Sequence, residues 1–181
     1  AYKNEPVPIP DSEGATTIIG YNNWDRIRAY RSRWQTENPD GDWGTEFQKM
    51  IPHRELYQDR FVLLSDGPYS AVPATELELA DSEWSQLSLQ IRMHHECTHY
   101  ATRRRLGSSR KRALDEIIAD YFGITRAIGH FRSDWLLMFL GLEAFPEYRE
   151  GGRLQNYCGE PPLSDGAFSI LQRLVHAAAL N

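Results

Sequence analysis

Apolar residues recur at helical spacing through the second half of the chain, and the first half is broken into short runs. Across Glu83–Arg104 the apolar positions Leu87, Leu89, Ile91 and Met93 punctuate a polar stretch. Asp81-Ser82-Glu83 supplies an N-cap and first-turn acid, Arg103, Arg104 and Arg105 place cations near the end, and Gly107 closes the segment. That arrangement predicts a helix. A second helix is predicted from about Arg110 to Gly129, capped by Ser109 and weakened in the middle by Gly123. Ser133-Asp134 heads a third, mostly apolar, from Trp135 to Leu142. Ser164-Asp165 caps a last helix, Phe168–Leu180, with Ile170, Leu171, Leu174, Val175 and Ala178 as its expected buried stripe.

The first half reads differently. Residues 1–20 look like an irregular leader, since Pro6, Pro8 and Pro10 favour extended backbone, with a short strand at Thr16–Ile19. Tyr21–Trp34 suggests a short helix carrying Tyr30 and Trp34 on one face, and Glu37–Gly44 a loop. Phe61–Leu64 is a strand, Ser65-Asp66-Gly67-Pro68 a turn, and Tyr69–Val72 the returning arm of a hairpin. Thr75–Leu79 fits an edge strand or a first helical turn, and Phe145–Pro162 a long loop. The expected fold is α+β in one domain over residues 1–181, mainly helical in its second half with a small sheet or hairpin in the first.

The chemistry concentrates at residues 95–99, His-Glu-Cys-Thr-His, an HExxH motif. On a helix His95 and His99 leave one face and can reach a single ion. Glu96 is rotated about 100° from His95, off the ion but beside it, where it can take a proton from an activated water. Glu116 can supply a third ligand, and Asp120, one turn further on, can accept the outer N–H of a ligand imidazole. Asp120 as the third ligand is the alternative, and a hydrogen-bonded polar cluster without metal is the bland reading.

HExxH followed by Glu-x-x-x-Asp on a downstream helix resembles the gluzincins, the thermolysin-like zinc metallopeptidases. The matching residues are His95, Glu96, His99, Glu116 and Asp120, and the likeness covers about residues 82–125. The resemblance implies a zincin-like fold with Zn2+ on His95, His99 and Glu116, Glu96 as general base and acid, and Asp120 orienting a ligand. It also implies an edge strand ahead of the HExxH helix that an extended substrate would join, for which Tyr69–Val72 or Thr75–Leu79 could serve. The metzincin pattern fails, because Thr102 and Arg105 stand where it needs glycine and histidine.

Other residues enter as secondary candidates. Peptide hydrolysis needs a donor for the oxyanion; His176 is the first choice for it, with Tyr157 and His130 behind. His94 is expected beside the ligand set or exposed, and His53 has no assigned role. The arginines of segment 103–112 suggest recognition of an acidic substrate or, more simply, a solvated turn. Cys97 is expected to be a small buried hydrophobe pointing away from the ligand face, and the tryptophans to line core or cleft.

Composition narrows the class. Apolar content of 41% and charged content of 25% are ordinary for a globular chain, and a net charge of −5 argues against a general nucleic-acid binder. No apolar run approaches membrane-spanning length, no signal peptide is evident, and two cysteines make no disulfide framework, which together point to the cytoplasm. The expected function is zinc-dependent hydrolysis of a peptide or amide bond. A small-molecule amide or ester hydrolase and a non-catalytic zinc-binding module are the alternatives.

Overall fold

The computed structural model describes residues 14–106 and 112–181; residues 1–13 of the leader expected over 1–20, and the capping positions Gly107 and Ser109, lie outside the described residues. The fold is α+β, mainly helical with a two-stranded sheet. The described residues group into two compact units, one over Thr16–Leu63 and one holding residues 14–15 with Leu64–Asn181.

The smaller unit contains most of strand β1 (Ala15–Asn22), helix α1 (Trp24–Glu37), helix α2 (Trp43–Met50) and most of strand β2 (Gln58–Leu64). β1 pairs with β2. Gly14 O accepts from Ser65 N–H at 3.1 Å, and the Asn22 side chain accepts from Gln58 at 3.0 Å, so the strands run antiparallel. Asn23 caps α1 by accepting from the Arg26 N–H, and Asp42 caps α2 through the Gly44 and Thr45 N–H groups. Ile27, Met50 and Tyr57 form the buried centre, with Tyr30, Trp43 and Phe47 packed around it. The loop expected over Glu37–Gly44 is therefore shorter than its turn-rich composition suggests, because Asp42 starts a helix.

In the larger unit, helices α3 (Asp81–Leu106) and α4 (Arg112–Ile128) form an antiparallel pair; α5 (Ser133–Leu140) packs against α4, and α6 (Asp165–Leu180) against α5. Gly123 permits the close crossing of α3 and α4: a Cβ there would lie 2.9 Å from the Ile91 carbonyl oxygen and 3.6 Å from the His95 Cβ. What the sequence presents as a weak point in α4 is a place where the two helices come close. Ile91, Ile124, Phe139, Leu140 and Leu154 are at most 1% exposed and anchor the core. Trp84 and Trp135 pack edge to face within it, and the Trp84 indole donates to Val72 O at 2.7 Å.

The segment ahead of α3 overturns the hairpin and gives Thr75–Leu79 the helical one of its two readings. Tyr69–Val72 does not return as a strand. Ser70 and Ala71 adopt φ of 54° and 56°, in the left-handed region, and the Tyr69 N–H donates to Ser88 Oγ, so Tyr69–Ala71 closes as a 3-10 turn. Ala74–Leu77 is also 3-10, ended by Glu78 at φ 57°. Neither segment forms the edge strand that the gluzincin resemblance implies.

Three further local readings are adjusted. α5 has no side-chain cap; Ser133 and Asp134 lie inside its first turn, and Asp134 pairs with Arg132. The predicted long loop contains a 3-10 turn at Arg153–Tyr157. It is seated by Gly141 and Gly152, where a Cβ on Gly152 would stand 2.6 Å from the Gly141 Cα and 2.7 Å from the Leu140 carbonyl oxygen. On α6, capped as expected by Ser164, the buried positions are Gln172, Val175 and Ala179, with Phe168 and Leu171 packed on the core. Ile170 and Leu174 are 51% and 64% exposed and Ala178 is exposed too, because the apolar arc of this helix is wider than the face it buries.

Candidate metal centre

His95 and His99 leave the buried face of α3, each 6% exposed, and face α4. Their Nε2 atoms lie 2.9 Å apart. The Glu116 carboxylate completes the group, with Oε2 3.3 Å from His95 Nε2 and Oε1 3.3 Å from His99 Nε2. These three side chains could hold a metal ion. In a tetrahedral site with metal–nitrogen distances of about 2.0–2.1 Å, donor atoms stand about 3.3 Å apart.

The outer nitrogens are held by carboxylates. His95 Nδ1 lies 2.9 Å from Asp120 Oδ1, and His99 Nδ1 lies 2.9 Å from Asp115 Oδ2. Such partners keep the proton on Nδ1 and turn both Nε2 lone pairs inward. The Thr102 hydroxyl donates to Asp115 Oδ1 at 2.9 Å. Tyr69 donates to Asp120 Oδ1 at 2.6 Å, Arg153 pairs with Asp120 Oδ2, and Tyr157 donates to Glu116 Oε2 at 3.0 Å. With the Nδ1 protons committed outward, a cation between the three side chains would meet two Nε2 lone pairs and a carboxylate. This donor set fits a cation.

Without a cation, the same acids favour a proton on His95 in its place. Burial alone would lower the His95 pKa, but the Asp120 and Glu116 carboxylates outweigh it and raise it to about 9. Burial would raise Glu116, yet its hydrogen bonds to His95 and His99 hold it well below the usual carboxylate range. Asp120 is fully buried, which opposes ionisation; the Arg153 charge and the His95 contact bring it down to about 2 instead. Burial raises the Tyr69 and Tyr157 phenols well above their ordinary values, so both remain donors. Among the described residues, Arg153 is the guanidinium paired with the acids of this cluster, through Asp120.

Glu96 is half-buried on the next position of α3, and its carboxylate interacts with the Arg92 charge. Asp120, the alternative third ligand, sits on the outer nitrogen of His95, while Glu116 takes the Nε2 side. Of the oxyanion candidates, only Tyr157 is hydrogen-bonded to this cluster among the described residues. His176 stacks on Phe145 with centroids 4.2 Å apart, and His130 is exposed. His94 borders a groove of about 430 Å³ with Cys97, Thr98 and Phe122. His53 is exposed and pairs with Glu55. Cys97 is exposed rather than buried, because the face opposite the ligands is the solvent face of α3. Arg103, Arg104 and Arg105 are exposed, and Arg104 bonds Tyr100. Trp84 and Trp135 are core residues, and Trp24 is 57% exposed.

Sequence reasoning missed Asp115, Tyr69 and Arg153. For Asp115 a cue was present: two ligating imidazoles need two outer acceptors, and Asp115 flanks Glu116. For Tyr69 and Arg153 the sequence held none.

Comparison with curated proteins and with solved structures gives no match. The whole chain, residues 1–181, matches a family of unknown function, DUF7005, and the protein belongs to that family.

Proposed function

We propose that the protein is a zinc-dependent, zincin-like hydrolase that cleaves a peptide or other amide bond. The observation that carries this reading is the convergence of His95 Nε2, His99 Nε2 and the Glu116 carboxylate, with both outer nitrogens held by aspartates. His95, His99 and Glu116 would hold the zinc. A bound zinc ion supplies Lewis acidity, which acidifies water and polarises a carbonyl. Three protein ligands leave a coordination position open, as catalytic sites require. Glu96, adjacent in sequence to His95 and uninvolved in holding the donor set, accepts the proton of the attacking water and passes it to the leaving amine. Tyr157 and Arg153 hold Glu116 and Asp120. The free thiols of Cys97 and Cys158 suit a reducing compartment, and we read the protein as cytoplasmic.

A second reading, hydrolysis of a small amide or ester, is favoured by one feature. The segments ahead of α3 are 3-10 turns, so they offer no strand for an extended peptide to join. Elemental analysis paired with digestion of a diverse peptide library and a panel of small amides tests both readings. One zinc per chain with peptide turnover supports the first, and turnover of small amides alone supports the second. A purified protein that takes up no zinc and cleaves neither class refutes the proposal.

A further inference from the structure

Tyr69 stands outside the α3–α4 pair, yet its hydroxyl enters the metal cluster. It lies 2.6 Å from Asp120 Oδ1 and 2.8 Å from His95 Nδ1, and those two atoms are 2.9 Å from each other. Two protons must serve this triangle, one from the phenol and one from the imidazole. Asp120 only accepts, and its other oxygen is taken by Arg153. If the phenol turned to donate to Nδ1, the imidazole proton would sit on Nε2, and a bare Nδ1 would face a carboxylate. If the phenol donates to Asp120, Nδ1 must carry its own proton, shared between the carboxylate and the phenol oxygen. Only the second arrangement leaves no lone pair against a lone pair.

The ring is fixed on every side. The Arg92 and Arg153 guanidiniums lie over it at 5.6 and 5.1 Å, Phe139 meets it edge to face at 5.0 Å, and Ser88 holds its backbone N–H. Tyr69 is 3% exposed. His99 has an analogous support, in which Thr102 steadies Asp115, but that hydroxyl comes from α3 itself. For His95 the support comes from the left-handed turn before the helix.

We infer that Tyr69 is a positioning residue that holds the His95 imidazole with its proton on Nδ1 and its Nε2 lone pair aimed at the ion, tying the turn before α3 to metal affinity. This inference rests on the zinc reading above. The test is zinc affinity, measured by competition with a chromogenic chelator, on the wild type and on Tyr69→Phe, Trp84→Phe and His99→Ala. Tyr69→Phe should bind zinc about 10- to 100-fold more weakly and should change the visible band of the cobalt-substituted protein. Trp84→Phe loses the bond to Val72 O that braces the same turn, and should lower Tm while leaving zinc affinity unchanged.

Unchanged zinc affinity and cobalt spectrum in Tyr69→Phe, with His99→Ala still losing zinc, overturns the inference and spares the metal centre. Equal weakening by Trp84→Phe and Tyr69→Phe also overturns it, because general loosening of the turn would then account for the effect. A wild type that binds no zinc overturns both. Independently of any variant, long-range 15N–1H spectra of the zinc-loaded wild type should place the His95 proton on Nδ1; a proton on Nε2 refutes the assignment.

Discussion

Glu116 and Asp120, one helical turn apart on α4, serve opposite nitrogens of one imidazole. Glu116 Oε2 lies 3.3 Å from His95 Nε2, and Asp120 Oδ1 lies 2.9 Å from His95 Nδ1. The two acids therefore have unequal roles. Glu116→Ala should abolish stoichiometric zinc uptake, whereas Asp120→Asn should retain it with affinity reduced about 10- to 100-fold. Isothermal titration of both variants checks this, and reversed effects would exchange the roles.

Glu96→Gln keeps the size of the side chain and removes its basicity. Zinc content should stay at one per chain, while turnover falls about 10²- to 10⁴-fold. Wild-type turnover in this variant would remove Glu96 from the chemistry.

Gly123→Ala sets helix propensity against packing. Alanine gains up to about 1 kcal/mol within a helix. Its Cβ would meet the Ile91 carbonyl oxygen at 2.9 Å and Ile91 Cγ2 at 3.2 Å, so α3 and α4 must separate. Overpacking costs about 1–3 kcal/mol. The expected outcome is a net loss of about 1–2 kcal/mol by chemical denaturation, together with weaker zinc binding.

Arg153 is the cation paired with fully buried Asp120. Removing it strands a carboxylate in the core, and breaking a buried pair costs about 3–5 kcal/mol. Arg153→Met should lose that much in urea titration, and pairing it with Asp120→Asn should recover part of the loss. Additive losses in the double variant would show that the two residues act separately.

Stability of the Thr16–Leu63 unit should depend on pH through Tyr30, which donates to Glu46 at 2.8 Å. The hydrogen bond to Tyr30 lowers the Glu46 pKa, so that contribution is present above the ordinary carboxylate value and fades as pH falls through the lowered one. The same bond raises the Tyr30 pKa; its contribution holds below pH 10 and is lost at higher pH. Tyr30→Phe should flatten both flanks of the stability profile, read by thermal melts across pH.

That His95 and His99 share one face was legible because a four-residue helical step is local geometry, and it needed only that α3 be a helix. Asp120 was legible for the same reason on α4. Tyr69 and Arg153 were not, since their bonds to Asp120 span 51 and 33 residues and depend on how separate segments fold back. The hairpin assigned to Phe61–Val72 failed because Tyr69–Val72 has strand-like composition, whereas the Tyr69 N–H is claimed by a serine on α3. The α6 stripe failed for a simpler reason: with apolar residues covering much of that helix, periodicity could not say which half turns inward.

Gly141 and Gly152 meet backbone to backbone, with no side chain between them. The residue following Gly152 is Arg153, and Tyr157 is one turn beyond. The outer support of the cluster is thus seated on a joint that tolerates no bulk. Even one added methyl group at either glycine would act as a wedge, prising two supporting groups off the acids they steady. A loss of stability of the kind expected for Arg153→Met, together with weaker metal binding, is the phenotype to expect from such a substitution.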